Sequence, residues 1–144
     1  MNSQNYANHR QYVPMYHMVL FGLLLAVLIG SVTQLVRSIG VHQRILIAAL
    51  VVALSVALFI LAFLARIFAL KAQDRAIRAE ENLRHFALTG KLLDPRLGIR
   101  QVIGLRFASD DEFVSLAGRA AEENLSEDAI KRAVRTWRAD TYRV

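Results

Sequence analysis

Two runs of apolar residues dominate the chain, Met18 to Val36 and Ile45 to Ala65, and neither contains Asp, Glu, Lys or Arg. Each is long enough to cross roughly 30 Å of hydrocarbon as a helix. The link between them, Arg37 to Arg44, is short and holds Gly40. The spans therefore return as an antiparallel hairpin with both ends of the chain on one side. The first run exceeds the about 7 to 15 residues of a signal-peptide core and is followed by a second span, so it reads as a retained anchor.

Beyond the second run the apolar periodicity continues into water. Ala48, Val51, Ser55, Leu58, Ala62, Ala65, Ala69, Ala72, Ala76, Ala79, Leu83 and Phe86 follow one another at alternating spacings of three and four. That is a heptad seam, and its period favours a left-handed supercoil. No Gly or Pro interrupts Gln43 to Thr89. One continuous helix of about 45 residues, nearly 70 Å at 1.5 Å per residue, is expected. Burying four aqueous alanine methyls yields only about 3 kcal/mol, so Leu83 and Phe86 carry the larger share of any association. The seam joins copies, receives the first span within one chain, or is the surface of a monomeric stalk rich in alanine for its helix propensity. Asp74 with Arg78 and Glu80 with Arg84 are i,i+4 pairs that support the helix. In the first span Gly22, Ala26 and Gly30 recur every four residues and form a small-residue face for close helix contact. Ser31 and Thr33 can satisfy themselves on backbone carbonyls.

Gly90 and Asp94-Pro95 end the long helix. Leu97 to Phe107 fits either a helix or a strand; with no second strand candidate to pair with, a helix is predicted. Ser109 and Glu112 have the spacing of a capping box opening a helix with Phe113, Leu116, Ala117, Ala120 and Ala121 on its apolar face. Ser126 caps a last helix carrying Ile130, Ala133, Val134 and Trp137 on its apolar face. Lys131, Arg132, Arg135 and Arg138 form a basic stripe on it. That stripe faces lipid phosphates, solvent, or acids on a neighbouring helix such as Glu122 and Glu123. A helix-turn-helix is disfavoured, because Glu127 and Asp128 occupy the helix start that would face DNA.

Charge divides the chain. All twelve acidic residues lie between Asp74 and Asp140, and the net charge is +6. Arg66, Lys71, Arg75, Arg78 and Arg84 follow the second span and Arg10 precedes the first, against Arg37 and Arg44 in the loop. This bias places both termini in the cytoplasm. Tyr6, Tyr12 and Tyr16 with Pro14 suit an interfacial segment along the membrane surface. His9 and His17 have no nearby carboxylate, so hydrogen bonding to headgroups or water is preferred over metal ligation. His85 reads as a surface imidazole or a partner of Glu81. Cysteine is absent, which excludes disulfides and thiolate chemistry.

Phosphate-binding glycine loops, nucleophile elbows and paired-histidine motifs are also missing. Neither catalysis nor a cofactor or metal is expected. The spans offer few polar groups, chiefly Gln34 and Ser55, which weighs against a channel or transporter subunit.

The stretches Asn5-Tyr6 with Asn8-His9, Tyr12-Val13-Pro14 with Tyr16-His17, RIFALKAQDRAIRAEENLRHF from Arg66 to Phe86, then LTGKLLD, LRFASDDEF and WRAD resemble a family of small bacterial two-span membrane proteins known only as a domain of unknown function. The resemblance covers nearly the whole chain and transfers no activity or site. It implies a bacterial cytoplasmic-membrane location and an intact one-domain protein.

The expected architecture is an all-α membrane protein: an interfacial segment (1–17), a transmembrane helix (18–36), a loop (37–44), a second transmembrane helix (45–65) extended as a cytoplasmic stalk (66–89), and a small helical cap (94–144). The expected role is that of a structural or interaction protein that self-associates or scaffolds a partner in the bilayer. Ala62, Ala65, Ala69, Ala72, Ala76, Ala79, Leu83 and Phe86, with the Gly22 face, would be the packing residues. The alternative is a membrane-tethered regulator whose basic cap binds nucleic acid or an acidic protein.

Overall fold

The computed structural model describes residues 4–9 and 12–140. The described residues are helical apart from turns and one isolated bridge. A π-helical stretch, Met15–Leu20, leads into α1 (Phe21–Arg37); α2 (His42–Thr89), α3 (Ile99–Leu105), α4 (Asp110–Glu122) and α5 (Glu127–Ala133) follow. By length and composition, two helices could cross a membrane, Met15–Arg37 and Arg44–Thr89. The chain divides into two compact units: Tyr12–Ala69, and Leu70–Val144 together with Met1–Gln11.

The first unit is a helical hairpin. Gly40, at φ +95°, makes the reversal after Arg37 without the steric cost a side chain would carry. The π-helical stretch and α1 meet α2 in antiparallel order: the Tyr16 hydroxyl donates to the Ala62 carbonyl, and the Phe21 and Phe59 rings lie 6.0 Å apart. The seam between them is built from small and polar side chains. Leu24, Ser31 and Ser38 of the α1 side are buried, as are Ala48 and Ser55 of α2. Both sets recur every seven residues. Small side chains let the two backbones approach. The serine hydroxyls turn back onto their own helix, Ser31 donating to Leu28 O at 2.9 Å and Ser55 to Val51 O at 2.8 Å. Thr33 does likewise to Ile29 O at 2.8 Å, as its sequence position implied.

The second unit is a small helical cap packed on one face of α2. The helix stops at Thr89 because Gly90 adopts φ +72° and donates its N–H to Phe86 O at 2.7 Å. Ile77 of α2 joins Leu93, Leu97, Val102, Leu105, Phe113 and Ile130 in one core. Helices α3 and α5 cross at Gly104, where an added Cβ would lie 3.1 Å from the Glu127 carbonyl and from Ile130. Buried Gln101 ties three segments together: its carbonyl accepts from Gly98 N at 2.8 Å, and its amide donates to Ala120 O and Leu125 O at 3.1 and 3.0 Å. Asn124, at φ 49°, makes the turn between α4 and α5. Ser126 caps α5, accepting from Ala129 N at 3.2 Å.

Three local expectations are corrected. The last helix ends at Ala133, and Val134 is extended. Trp137 instead forms an antiparallel bridge with Ala108, with Arg138 N donating to Phe107 O at 2.8 Å. Ser109 does precede α4, but its side chain makes no capping bond. Glu112 reaches outward to accept Arg135 N–H at 3.1 Å and Thr136 N–H at 3.0 Å. This bond holds the extended segment off the α5 axis and consumes the carboxylate that a capping box needs. Finally, the i,i+4 pairs on α2 are replaced: Arg78 donates to Leu97 O of the cap, and Arg84 binds Glu81 on its own helix and Asp110 of the cap.

Candidate interaction surfaces

Within the second unit, α2 has two faces of opposite character. Ile77 and Glu81 on one face are buried under the cap. Arg84 is the hub there. Its guanidinium lies 3.0 Å from Glu81 and 2.6 Å from Asp110, donates to Ala108 O at 2.7 Å, and sits 4.2 Å from the centre of the Phe113 ring. Arg138 reaches the other Glu81 oxygen at 3.5 Å, so this buried carboxylate is paired from two directions. His85 does not pair with Glu81; its Nδ1 lies 2.7 Å from Lys91 O.

The opposite face carries the seam. Ala72, Ala76 and Ala79 are exposed, and Leu83 and Phe86 are 68 % and 51 % exposed. The cap therefore takes the side of the helix away from the heptad positions. Ala62, in the first unit, is partly covered, while Ala65 and Ala69 are exposed. Gly22, Ala26 and Gly30 are exposed too, and nothing lies within 4 Å of a Cβ built on either glycine. The face of α1 used in the hairpin is the Leu24–Ser31–Ser38 one.

The four basic residues predicted to share a helical stripe are separated. Lys131 and Arg132 lie on α5, and Arg135 and Arg138 lie on the extended segment after it. Three are neutralised locally: Lys131 by Glu127 at 2.6 Å, Arg132 by Asp128 at 2.9 Å and Arg138 by Glu81. Glu123 pairs with Arg119 on its own helix at 3.3 Å instead of with this stripe. A cleft of about 290 Å³ lies beside Gln73, Glu81, Arg106 and Asp140. Arg106 pairs there with Asp140 at 3.1 Å and Glu81 with Arg138 at 3.5 Å, while Glu80 at its edge makes no ion pair among the described residues.

Sequence reasoning missed the N-terminal strap. Asn5 folds the segment by accepting Ala7 N–H at 2.9 Å and Asn8 N–H at 3.2 Å, a turn its side chain can encode. Tyr6 then donates to Asp128, accepts from Arg132 Nε at 3.2 Å, and lies under the Arg132 guanidinium. His9 packs edge-on to Phe107 at 5.8 Å and lies 5.9 Å from Trp137. Gln4 exchanges two hydrogen bonds with the Asp140 backbone. Tyr6 and His9 thus lie on the cap, whereas Tyr12 and Tyr16 belong to the hairpin; Tyr12 stacks on His17 at 4.7 Å. The Tyr6 hydrogen bond, with Arg132 and Lys131 nearby, holds the Asp128 carboxyl below its ordinary range. Arg96 likewise holds Asp94 at about 2 by side-chain and backbone hydrogen bonds.

The model of a family of unknown function, DUF6526, matches residues 1–144. The chain belongs to that family. No curated protein and no solved structure matches it. Among the described residues there is no group of three or more His, Cys, Asp or Glu placed to hold a metal ion.

Proposed function

We propose that this is a two-span protein of the bacterial cytoplasmic membrane, with both termini in the cytoplasm, that gathers copies of itself through the stalk and displays the cap. Its work is structural or scaffolding and not catalytic. The observation that carries this reading is the division of α2: the cap occupies the Ile77–Glu81–Arg84 side and leaves Leu83 and Phe86 bare on the heptad side. Large apolar side chains in water at helical spacing favour a partner. Lipid is the natural solvent for the two apolar helices, because only 11 % of the most apolar window of each is buried. The strap on the cap supports a shared compartment for both termini, and the basic flanks support the cytoplasm.

The test is the native mass of the full chain in mild detergent. A mass above one copy is expected, and Leu83→Ser with Phe86→Ser should lower it towards the monomer. A monomeric wild type would refute self-association. The regulator reading is weaker, because Lys131, Arg132 and Arg138 are already ion-paired. Nucleic-acid binding by the detergent-solubilised chain with a steep salt slope would favour it.

A further inference from the structure

The bare face of the stalk carries charges as well as apolar groups, and their spacing selects an occupant. With Ala76 and Leu83 at heptad position a, and Ala72, Ala79 and Phe86 at d, Arg75 falls at g and Glu80 at e. In a parallel, in-register two-stranded coil, a g side chain meets the e side chain five residues further along the other helix. Arg75 and Glu80 are five apart and opposite in sign. Both are exposed, and among the described residues neither makes an ion pair or a side-chain hydrogen bond. They stand apart from Arg78 and Arg84, which the cap has recruited.

Of the other flanking positions, Gln73 at e is half-buried and Asn82 at g accepts Leu93 N–H at 3.2 Å from the cap, so Arg75 and Glu80 are the e and g residues left bare between them. Ile77, Arg78, Glu81 and Arg84 fall at b, c and f, and these are the residues the cap covers or binds. A coil formed on a and d would leave the cap in place. Identical chains inserted in a bilayer in one orientation present their stalks parallel and at one height, as this register requires. A two-fold axis would then form the Arg75 to Glu80 pair twice.

We propose that the occupant of this face is a second copy of the chain, parallel and in register, selected by reciprocal pairs between Arg75 of each copy and Glu80 of the other. This rests on the self-association reading and adds orientation, register and the residues that set them.

The chain has no cysteine, so a single introduced thiol reports only on itself. In vesicles holding the full chain, oxidation should crosslink Ala76→Cys and Ala79→Cys to dimers and spare Lys71→Cys, an exposed c position. Arg75→Glu and Glu80→Arg, each tested in the Ala79→Cys background, replace two attractions with two repulsions. Each should lower dimer yield about tenfold at limiting protein density, from exposed pairs of ordinary strength. Mixing the two charge variants should restore the yield through heterodimers. Unchanged emission from Trp137 would show that each variant keeps its cap.

A monomeric wild-type mass would overturn self-association and this proposal together. A dimeric mass with no crosslink at 76 or 79, or charge variants without effect, would overturn only the parallel register. A heterologous protein captured at position 79 in place of a second copy would overturn the choice of occupant.

Discussion

Glu112 separates two readings of the same residues. If Ser109 and Glu112 formed a reciprocal capping box, removing either side chain would cost a similar amount, about 1 kcal/mol. In the structure the Ser109 side chain caps nothing, while Glu112 accepts two backbone N–H groups, from Arg135 at 3.1 Å and Thr136 at 3.0 Å. Hydrogen bonds to a charged acceptor are worth about 1.5–3 kcal/mol each when shielded. These lie at a solvent-exposed edge, where water replaces part of what is lost, so the pair together contributes about 2 kcal/mol. Glu112→Ala should therefore lower the folded-to-unfolded ratio of the cap about thirtyfold, a loss of roughly 10 °C in Tm for a unit of this size. Glu112→Gln should lose about half of that, and Ser109→Ala only a few tenths of a kcal/mol. The assay is thermal unfolding of the full chain in mild detergent, followed by Trp137, which adjoins Thr136 and is the only tryptophan. Equal losses for Ser109→Ala and Glu112→Ala would refute the reasoning.

Two glycines in the cap should respond oppositely to alanine. Gly118 lies inside α4 with nothing within 4 Å of an added Cβ, so Gly118→Ala should stabilise the cap by about 1 kcal/mol. Gly104→Ala meets the Glu127 carbonyl and Ile130 at 3.1 Å and should destabilise it by about 1–2 kcal/mol through overpacking; both are read in the same melt. The strap should be sensitive to acid. The Asp128 carboxyl titrates below its ordinary 3.8 because Tyr6 donates to it. Its contribution is therefore complete above that value and is lost as pH falls through the depressed folded value. The protection of the Ala7 and Asn8 amides, as exchange relative to the unfolded chain at the same pH, should hold from neutrality to about pH 4 and fall below it. Tyr6→Phe should quicken exchange at neutral pH, and slow exchange that persists in that variant would show that the Tyr6 hydroxyl does not hold the strap.

What the sequence made legible was what depends on near neighbours. Two charge-free apolar runs, a glycine-bearing reversal and an unbroken heptad stripe define the hairpin and the long α2 without reference to distant residues. Gly90 and Ser126 act within one turn of their own helices, and both do what their positions imply. The errors arise where a side chain has a distant claimant. Ile130, Val134 and Trp137 keep helical spacing, yet the carboxylate of Glu112 and the backbone of Phe107 and Ala108 draw the chain after Ala133 into an extended form. Arg84 had a well-spaced partner in Glu80 and took Glu81 on the same helix instead, on the side where the cap adds Asp110 and the Ala108 carbonyl as acceptors. The Gly22 face and the face of α1 that enters the hairpin both carry small residues, so composition alone did not separate them.

The strap also sets an order of events during synthesis. Gln4 is made 136 positions before its partner Asp140. Tyr6 waits for Asp128 and Arg132 over nearly as long a stretch. Both helices long and apolar enough to cross a membrane are made in that interval, while the seat for Gln4 and Tyr6 is still unmade. Docking of the strap therefore waits until residues 128–140 have been made and have left the ribosome. A nascent chain stalled before Asp128 would carry Tyr6 unclasped, a mark that distinguishes it from a chain extended past Arg132.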